Sequence, residues 1–149
     1  MRTVAVYTGS FNPFHKGHLD ILNKAKRMFD EVVIAVGHNP DKYMLSEVHQ
    51  RIETIEAQLP DQKVLYYNGF TTDLLDSLEV NDVKVVLVRG LRNGVDLDYE
   101  IQQLRFIEDA CPEINVVMIP CSRELAHISS SMIRTIGKFD ETKMSKYLP

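Results

Sequence analysis

Thr3-Val4-Ala5-Val6-Tyr7, followed at once by Thr8-Gly9-Ser10-Phe11-Asn12-Pro13-Phe14-His15-Lys16-Gly17-His18, is the stretch that decides the fold. Its first five residues form a β-branched, apolar run bounded by Gly9, which reads as a buried strand. Gly9 and Ser10 leave that strand in a tight turn. A helix opens near Gly17, with one apolar face made by Leu19, Leu22, Ala25, Met28 and Phe29. Strand, glycine-bearing turn and amphipathic helix in direct succession begin an alternation that the rest of the chain repeats.

Val32–Val36 reads as a second strand. Val48, Ile52, Ile55 and Leu59 make a second amphipathic helix, with Ser46 as the expected N-cap and Pro60 just past its end. Val64–Tyr67 is a third strand, and Thr72–Leu78 a short helix capped by Thr71 or Thr72. Val83–Val88 is a fourth strand. A long helix follows over Asp96–Ala110, with Ile101, Leu104, Ile107 and Phe106 expected to face inward. Val116–Ile119 is a fifth strand, and Ser130–Gly137 begins a last helix, with one or two further turns over Asp140–Leu148. Continuously apolar strands separated by amphipathic helices mean a parallel sheet covered on both faces. The expected fold is α/β, a Rossmann-like, doubly wound, five-stranded parallel sheet in a single domain over residues 1–149. Ligands bind such sheets at the carboxyl ends of the strands, where the strand order reverses.

Composition agrees. A chain of 149 residues is one domain's length, and 44% hydrophobic with 26% charged residues is ordinary for a globular protein. Seventeen Lys and Arg against 21 Asp and Glu give a net charge of -4, which argues against nucleic acid as a partner. No apolar run approaches the roughly 18 residues of a membrane span. Thr3–Tyr7 is too short for a signal peptide, so a cytoplasmic location and no membrane association are expected. Cys111 and Cys121 stand ten apart, a spacing that matches no zinc pattern, and read as two buried thiols.

The chemistry gathers after the strands. His15 and His18 are three apart and share a helix face. Gly17 between them lets an anion approach the backbone, and the helix start adds partial positive charge. Either histidine alone would read as a solvated surface residue; the combination after a strand and a glycine turn reads as a phosphate cradle. A helical zinc pair would prefer spacing of four and a third ligand. Ser129, Ser130 and Ser131 can cap a helix or donate to phosphate oxygens, and Arg134 lies one turn in. Arg89 and Arg92 flank Gly90 at a strand end and supply forked donors that suit phosphate, unless Asp96 and Asp98 take them as ion pairs. Glu100, in the same segment, is a candidate hydrogen-bond acceptor for a ligand.

The G-S-F-N-P turn with H-x-G-H, here Gly9–Pro13 and His15–His18, resembles the nucleotidyltransferase superfamily that moves a nucleoside monophosphate onto a phosphorylated acceptor. Ile128-Ser129-Ser130-Ser131-Met132-Ile133-Arg134 matches its second hallmark. Arg89-Gly90-Leu91-Arg92, followed by Asp96, Asp98, Tyr99 and Glu100, is similar to the phosphopantetheine adenylyltransferase branch. The resemblance runs from about residue 4 to Arg134.

That resemblance implies ATP and 4'-phosphopantetheine as substrates, dephospho-coenzyme A and pyrophosphate as products, and Mg2+ travelling with ATP rather than a metal site in the protein. It implies that His18 and Lys42 are catalytic, stabilising charge on the α-phosphate in the transition state, and that Lys42 and Arg89 hold the acceptor phosphate. Ser10 would touch both substrates. Phe11, His15, Gly17, Gly90, Leu91, Arg92 and Glu100 would line the nucleotide, together with Leu125, Ala126, His127, Ile128, Ser129, Ser130 and Ser131. Leu75, or its neighbour Leu74, would line the pantetheine arm. A homo-oligomer, a hexamer in the family, and coenzyme A as a feedback ligand are implied as well. The chain departs from the family's usual Y-P-G-T-F-D-P at Thr8, Ser10 and Asn12, and Leu125 stands where an aromatic residue is frequent. His38, His49 and His127 read as surface residues, with His38 close to the Lys42 loop.

Overall fold

The computed structural model describes residues 1–149. Five strands form one all-parallel sheet: β1 (Arg2–Gly9), β2 (Glu31–Gly37), β3 (Val64–Tyr67), β4 (Val83–Leu91) and β5 (Val116–Pro120), in the spatial order β3-β2-β1-β4-β5. The helices are α1 (Lys16–Met28), α2 (Leu45–Gln58), α3 (Thr71–Leu78), α4 (Gly94–Ala110) and α5 (Ser130–Phe139), with 3-10 turns at Arg123–Leu125 and Glu141–Tyr147. The chain winds outward from β1 through β2 to β3, then crosses over to β4 on the other side of β1. The strand order therefore reverses between β1 and β4, and the doubly wound expectation holds.

Alternation along the strands sorts side chains between two unequal layers. Ala5, Tyr7, Ile34, Val36 and Val88 face α1 and α2 in a cluster of 14 buried residues that includes Ile21, Leu22, Val48 and Ile55. Val6, Ala35 and Val85 face α3 in a cluster of five completed by Leu74 and Leu75. Burying a side chain such as Leu22 or Ile34 fully contributes about 1.5–3 kcal/mol. The first face thus carries most of the apolar stabilisation, and α4 carries none of the buried residues.

Several boundaries and placements differ from expectation. The cap before α2 is Met44, whose N–H donates to Glu47, and the cap before α3 is Phe70; Ser46, Thr71 and Thr72 are not the caps. β4 extends past Val88 because Arg89, Gly90 and Leu91 pair with Met118, Ile119 and Pro120. α4 starts two residues early because the Asn93 side chain accepts from Asp96 N–H at 3.0 Å and caps it there. Phe106 points outward with 73% of its surface exposed, while Ile101, Leu104 and Ile107 are half-buried. Both cysteines are half-buried rather than buried. No helix is long and apolar enough to cross a membrane.

Candidate active site

Two adjoining clefts open at the carboxyl ends of the strands. One, of ≈ 520 Å³, lies where the strand order reverses, between His15, His18, Lys42, Arg92 and the serines of α5. The other, of ≈ 360 Å³, lies toward α4, between Gly37, His38, Tyr67, Leu104 and Met118. Thr8, Gly9, Ser10, Tyr43, Arg89, Tyr99 and Glu100 line both and form the ridge where the clefts meet. Both volumes fall in the range of small-molecule sites.

The larger cleft is built around a histidine pair. His15 caps α1: its Nδ1 accepts from Gly17 N–H at 3.0 Å, and His18 Nδ1 accepts from His15 N–H at 3.1 Å. A ring nitrogen that accepts carries no proton, so each neutral imidazole keeps its hydrogen on Nε2. The rings stack with centroids 3.7 Å apart. Phe14 stacks on His18 at 5.3 Å and Phe11 meets it edge-on at 5.0 Å. Burial, with Arg92 adding to it, holds His15 down to about 4. Burial, then His15, Arg92 and Arg89, push His18 well below the usual histidine range. The pair is therefore neutral at pH 7, a pair of hydrogen-bond donors without charge. Only glycine fits at position 17, since a Cβ would lie 2.8 Å from His15 Cε1.

The turn before α1 is clamped from outside. Arg51 donates to Ser10 O at 3.3 Å, Arg134 to Asn12 O at 2.6 Å and Ser130 to Pro13 O at 2.9 Å. Two helices far apart in the chain, α2 and α5, thus fix one short loop. Phe11 adopts a positive φ of 45°, and its ring would lie 3.0 Å from a Cβ at Gly9. Ser129 caps α5 by accepting from Met132 N–H at 3.2 Å. All three serine hydroxyls are therefore already engaged with the protein: Ser130 on the turn, Ser129 on the helix, and Ser131 with Ser129 at 3.3 Å.

The β4–α4 side is organised by ion pairs. Arg89 meets Glu100 in a forked pair, both contacts 2.8 Å, and donates to Thr8 O at 2.9 Å and Thr8 Oγ1 at 2.8 Å. Burial works against the Arg89 charge, but the Glu100 carboxylate outweighs it and holds the guanidinium above its usual range. Arg92 pairs with Asp96 at 3.1 Å. The ion-pair alternative seen in the sequence is thus realised at Asp96 and Glu100 rather than at Asp98. Glu100 is engaged by Arg89 and its carboxylate lines both clefts only from within that pair. Gly90 is needed for packing, because a Cβ there would lie 2.9 Å from Ile21 Cγ1.

Of the other expected site residues, Lys42 lines the larger cleft, and none of the chain's ion pairs engages it. Ile128, Ser129, Ser130, Ser131 and Leu91 line it too. Leu125, Ala126 and His127 lie in and after the 3-10 turn and line neither cleft. Leu75 is also outside both, and so is Leu74: the two pack into the α3 face against Val6, Ala35 and Val85, which takes up the side chains expected along the acceptor arm. His38 lines the smaller cleft, its Nε2 donating to Tyr43 O at 3.0 Å. Sequence reasoning missed Thr8, Tyr43 and Tyr99 on the ridge and Asp20, which ties α1 to the segment just after β5. Burial opposes the Asp20 charge, but Ser122 N–H at 2.7 Å, Lys24 and the Ser122 hydroxyl hold its carboxyl below the usual range.

The profile of the cytidylyltransferase-like family matches residues 6–136. The phosphopantetheine adenylyltransferase of Thermosynechococcus vestitus is 38% identical over 139 residues, 91% of this chain and 80% of that one. That of Leuconostoc citreum is 32% identical over 150 residues, 99% of this chain and 92% of that one. Among solved structures, the nicotinic acid mononucleotide adenylyltransferase of Plasmodium falciparum complexed with NaAD superposes with a TM-score of 0.65 at 19% identity, covering 99% of this chain and 91% of that one. That likeness is one of fold. With its sequence relatives, its strand-end clefts and its paired histidines, the chain belongs to the cytidylyltransferase-like family and, within it, to the phosphopantetheine adenylyltransferases.

Proposed function

We propose that the chain transfers the adenylyl group of ATP to 4'-phosphopantetheine, giving dephospho-coenzyme A and pyrophosphate. One observation carries this beyond the family assignment: two clefts meet at the Thr8–Ser10 ridge, with His18 and Lys42 on the walls of the larger one. Two substrates that must react with each other need such a junction. An oxygen of the acceptor phosphate attacks the α-phosphorus of ATP in line. The bond from that phosphorus to its bridging oxygen breaks, and pyrophosphate leaves. No protein nucleophile is needed, because transfer of this kind rests on positioning and charge stabilisation.

His18 Nε2–H donates to the α-phosphate as negative charge shifts there, and as a neutral donor it does not trap the ground-state phosphates as a cation would. Lys42 supplies the charge that His18 lacks. The α5 N-terminus, with the Ser131 hydroxyl and Arg92, receives the departing pyrophosphate. Mg2+ would enter as part of the ATP substrate complex, where it would neutralise phosphate charge. Val95 and Phe106, apolar and exposed on α4, offer a surface for assembly between copies, and the family resemblance makes that assembly a hexamer. Coenzyme A as a feedback ligand and residence in the cytoplasm complete the proposal.

Pyrophosphate release is measured with Mg-ATP and, in separate reactions, 4'-phosphopantetheine, nicotinate mononucleotide or no acceptor. Release with the first alone, with dephospho-coenzyme A identified by mass, is the expected result. Release only with nicotinate mononucleotide overturns the acceptor assignment.

A further inference from the structure

Arg51 keeps only 9% of its surface exposed, and the mechanism above does not use it. It lies on α2 and lines neither cleft. Glu47 stands four residues before it, the arrangement that favours an ion pair along a helix. That pair does not form: the Glu47 carboxylate accepts from Met44 N–H at 2.8 Å, and Arg51 belongs to none of the chain's ion pairs. The guanidinium instead reaches two loops. Its Nη1 donates to the Ser10 carbonyl at 3.3 Å, and its central carbon lies 4.1 Å from the centre of the Tyr43 ring. Ser10 belongs to the turn that leads into the histidine pair. Tyr43 follows Lys42 directly, in the loop between β2 and α2.

We infer that Arg51 is a positioning residue for Lys42: it ties the Lys42 loop, through the Tyr43 ring, to the Ser10 turn, and so sets the gap between Lys42 and His18 across which the phosphorus is transferred. The inference rests on the adenylyl-transfer reading above. Lysine places its charge at the end of a flexible stem, and Lys42 is exposed with no ion-pair partner to orient it. Its loop has backbone bonds from Lys42 and Tyr43 N–H to the Asn39 carbonyl, at 3.1 and 3.0 Å, but these hold the loop only to itself. His38, whose own N–H donates to the Tyr67 carbonyl of β3 at 3.0 Å, adds a bond to the Tyr43 carbonyl and holds the loop on that side. The contact with Arg51 fastens it to the opposite wall of the site. Arginine suits this place because a planar guanidinium can stack on a ring and donate at its edge at once, which an ammonium cannot.

The test is a double-mutant cycle on the full chain, with kcat, both KM values and Tm for Arg51→Met, Lys42→Ala and the pair. A misplacement of about 1 Å can cost about 100-fold in rate, so Arg51→Met is expected to lower kcat at least tenfold with little change in KM for ATP. In the Lys42→Ala background the same change should cost less than threefold, because the group it positions is gone, while the fall in Tm stays the same in both backgrounds. Equal fold losses in kcat in the two backgrounds would overturn the inference and leave Arg51 a purely structural residue. Should Arg51→Met not fold, Arg51→Lys and Tyr43→Leu replace it: each breaks the stacked contact, and each must lose kcat in the wild-type but not the Lys42→Ala background. Absence of adenylyl transfer by the unaltered chain would instead sink the functional reading itself, a separate result from an additive cycle.

Discussion

The turns β1–α1 and β4–α4 stand side by side where the strand order reverses, yet they handle their polar groups in opposite ways. In the first, the backbone carbonyls are clamped by Arg51, Ser130 and Arg134, and the two histidines are neutral and fixed by backbone N–H groups. In the second, both arginines are charged and matched to carboxylates of the following helix. The helices differ to match: α1 buries Gly17, Ile21, Leu22 and Ala25, whereas α4 buries nothing. A rigid neutral donor is ready before any ligand arrives. A paired arginine must loosen from its carboxylate before it can turn to a phosphate. The first turn is therefore suited to stabilising a transition state, the second to responding to substrate.

The comparison breaks most visibly at His18. Removing one donor aimed at a developing negative charge costs about 100- to 1000-fold in kcat. His18→Ala should fall by that much in pyrophosphate release while ATP binding, followed by calorimetry, persists. Turnover near that of the unaltered chain would mean that the neutral pair is only structural.

Glu100 tests the other turn. Its side chain is 11% exposed and that of its partner Arg89 27%. Breaking a buried pair from one side leaves an uncompensated charge and costs about 3–5 kcal/mol. The Thr8 acceptors stay in place, so Glu100→Gln should sit near the lower bound, about 3 kcal/mol in urea unfolding. A loss below about 1 kcal/mol would show that Thr8 and water satisfy Arg89 without the carboxylate.

Much of this was legible in the sequence. Val64–Tyr67 is a strand with the expected ends, and the order of strands and helices follows from apolar runs alternating with amphipathic ones. His15, His18, Arg92 and the serines meet at one edge because each follows a strand of a parallel sheet, and Arg89 joins them from the carboxyl end of β4. What was not legible depends on distant partners. Arg51 sits where a local pair with Glu47 is the natural expectation, and nothing near it in sequence points to Ser10. Leu75 and Phe106 lie in helices whose apolar residues are ambiguous in direction, and packing against Val6 settles one while the lack of any covering element leaves the other exposed. Thr8 and Tyr43 belong to the ridge only because two turns are brought together.

Acid should separate the two turns as well. His15 titrates near 4 in the folded chain against 6.5 when unfolded. Between those values the unfolded chain binds the proton and the folded one does not, so stability rises with pH through that window and is lost as pH falls from 6.5 toward 4. One such group contributes on the order of 2 kcal/mol by pH 4.5, and His18, shifted the same way, adds to it. Asparagine can cap a helix without titrating. His15→Asn should therefore flatten the fall in unfolding free energy between pH 6.5 and 4.5, and an unchanged slope would mean that the pair is not held neutral by the fold.

The smallest effect belongs to Asp96, and it decides whether the arginines of the second turn are alike. Arg92 pairs with Asp96 at 3.1 Å, but its side chain is 39% exposed and the two lie only four residues apart. Exposed pairs of this kind contribute about 0–1 kcal/mol. Asparagine at 96 keeps an oxygen for the Arg92 backbone N–H, which donates to this side chain at 2.9 Å. Asp96→Asn should therefore change unfolding free energy by less than about 1 kcal/mol. It also removes the one anion competing for Arg92 beside the larger cleft, so KM for ATP should hold steady or fall. A stability loss as large as that of Glu100→Gln, or a sharp rise in KM, would mean that Arg92 is anchored as firmly as Arg89. The second turn would then be as fixed as the first, and response to substrate would have to be sought in the Lys42 loop instead.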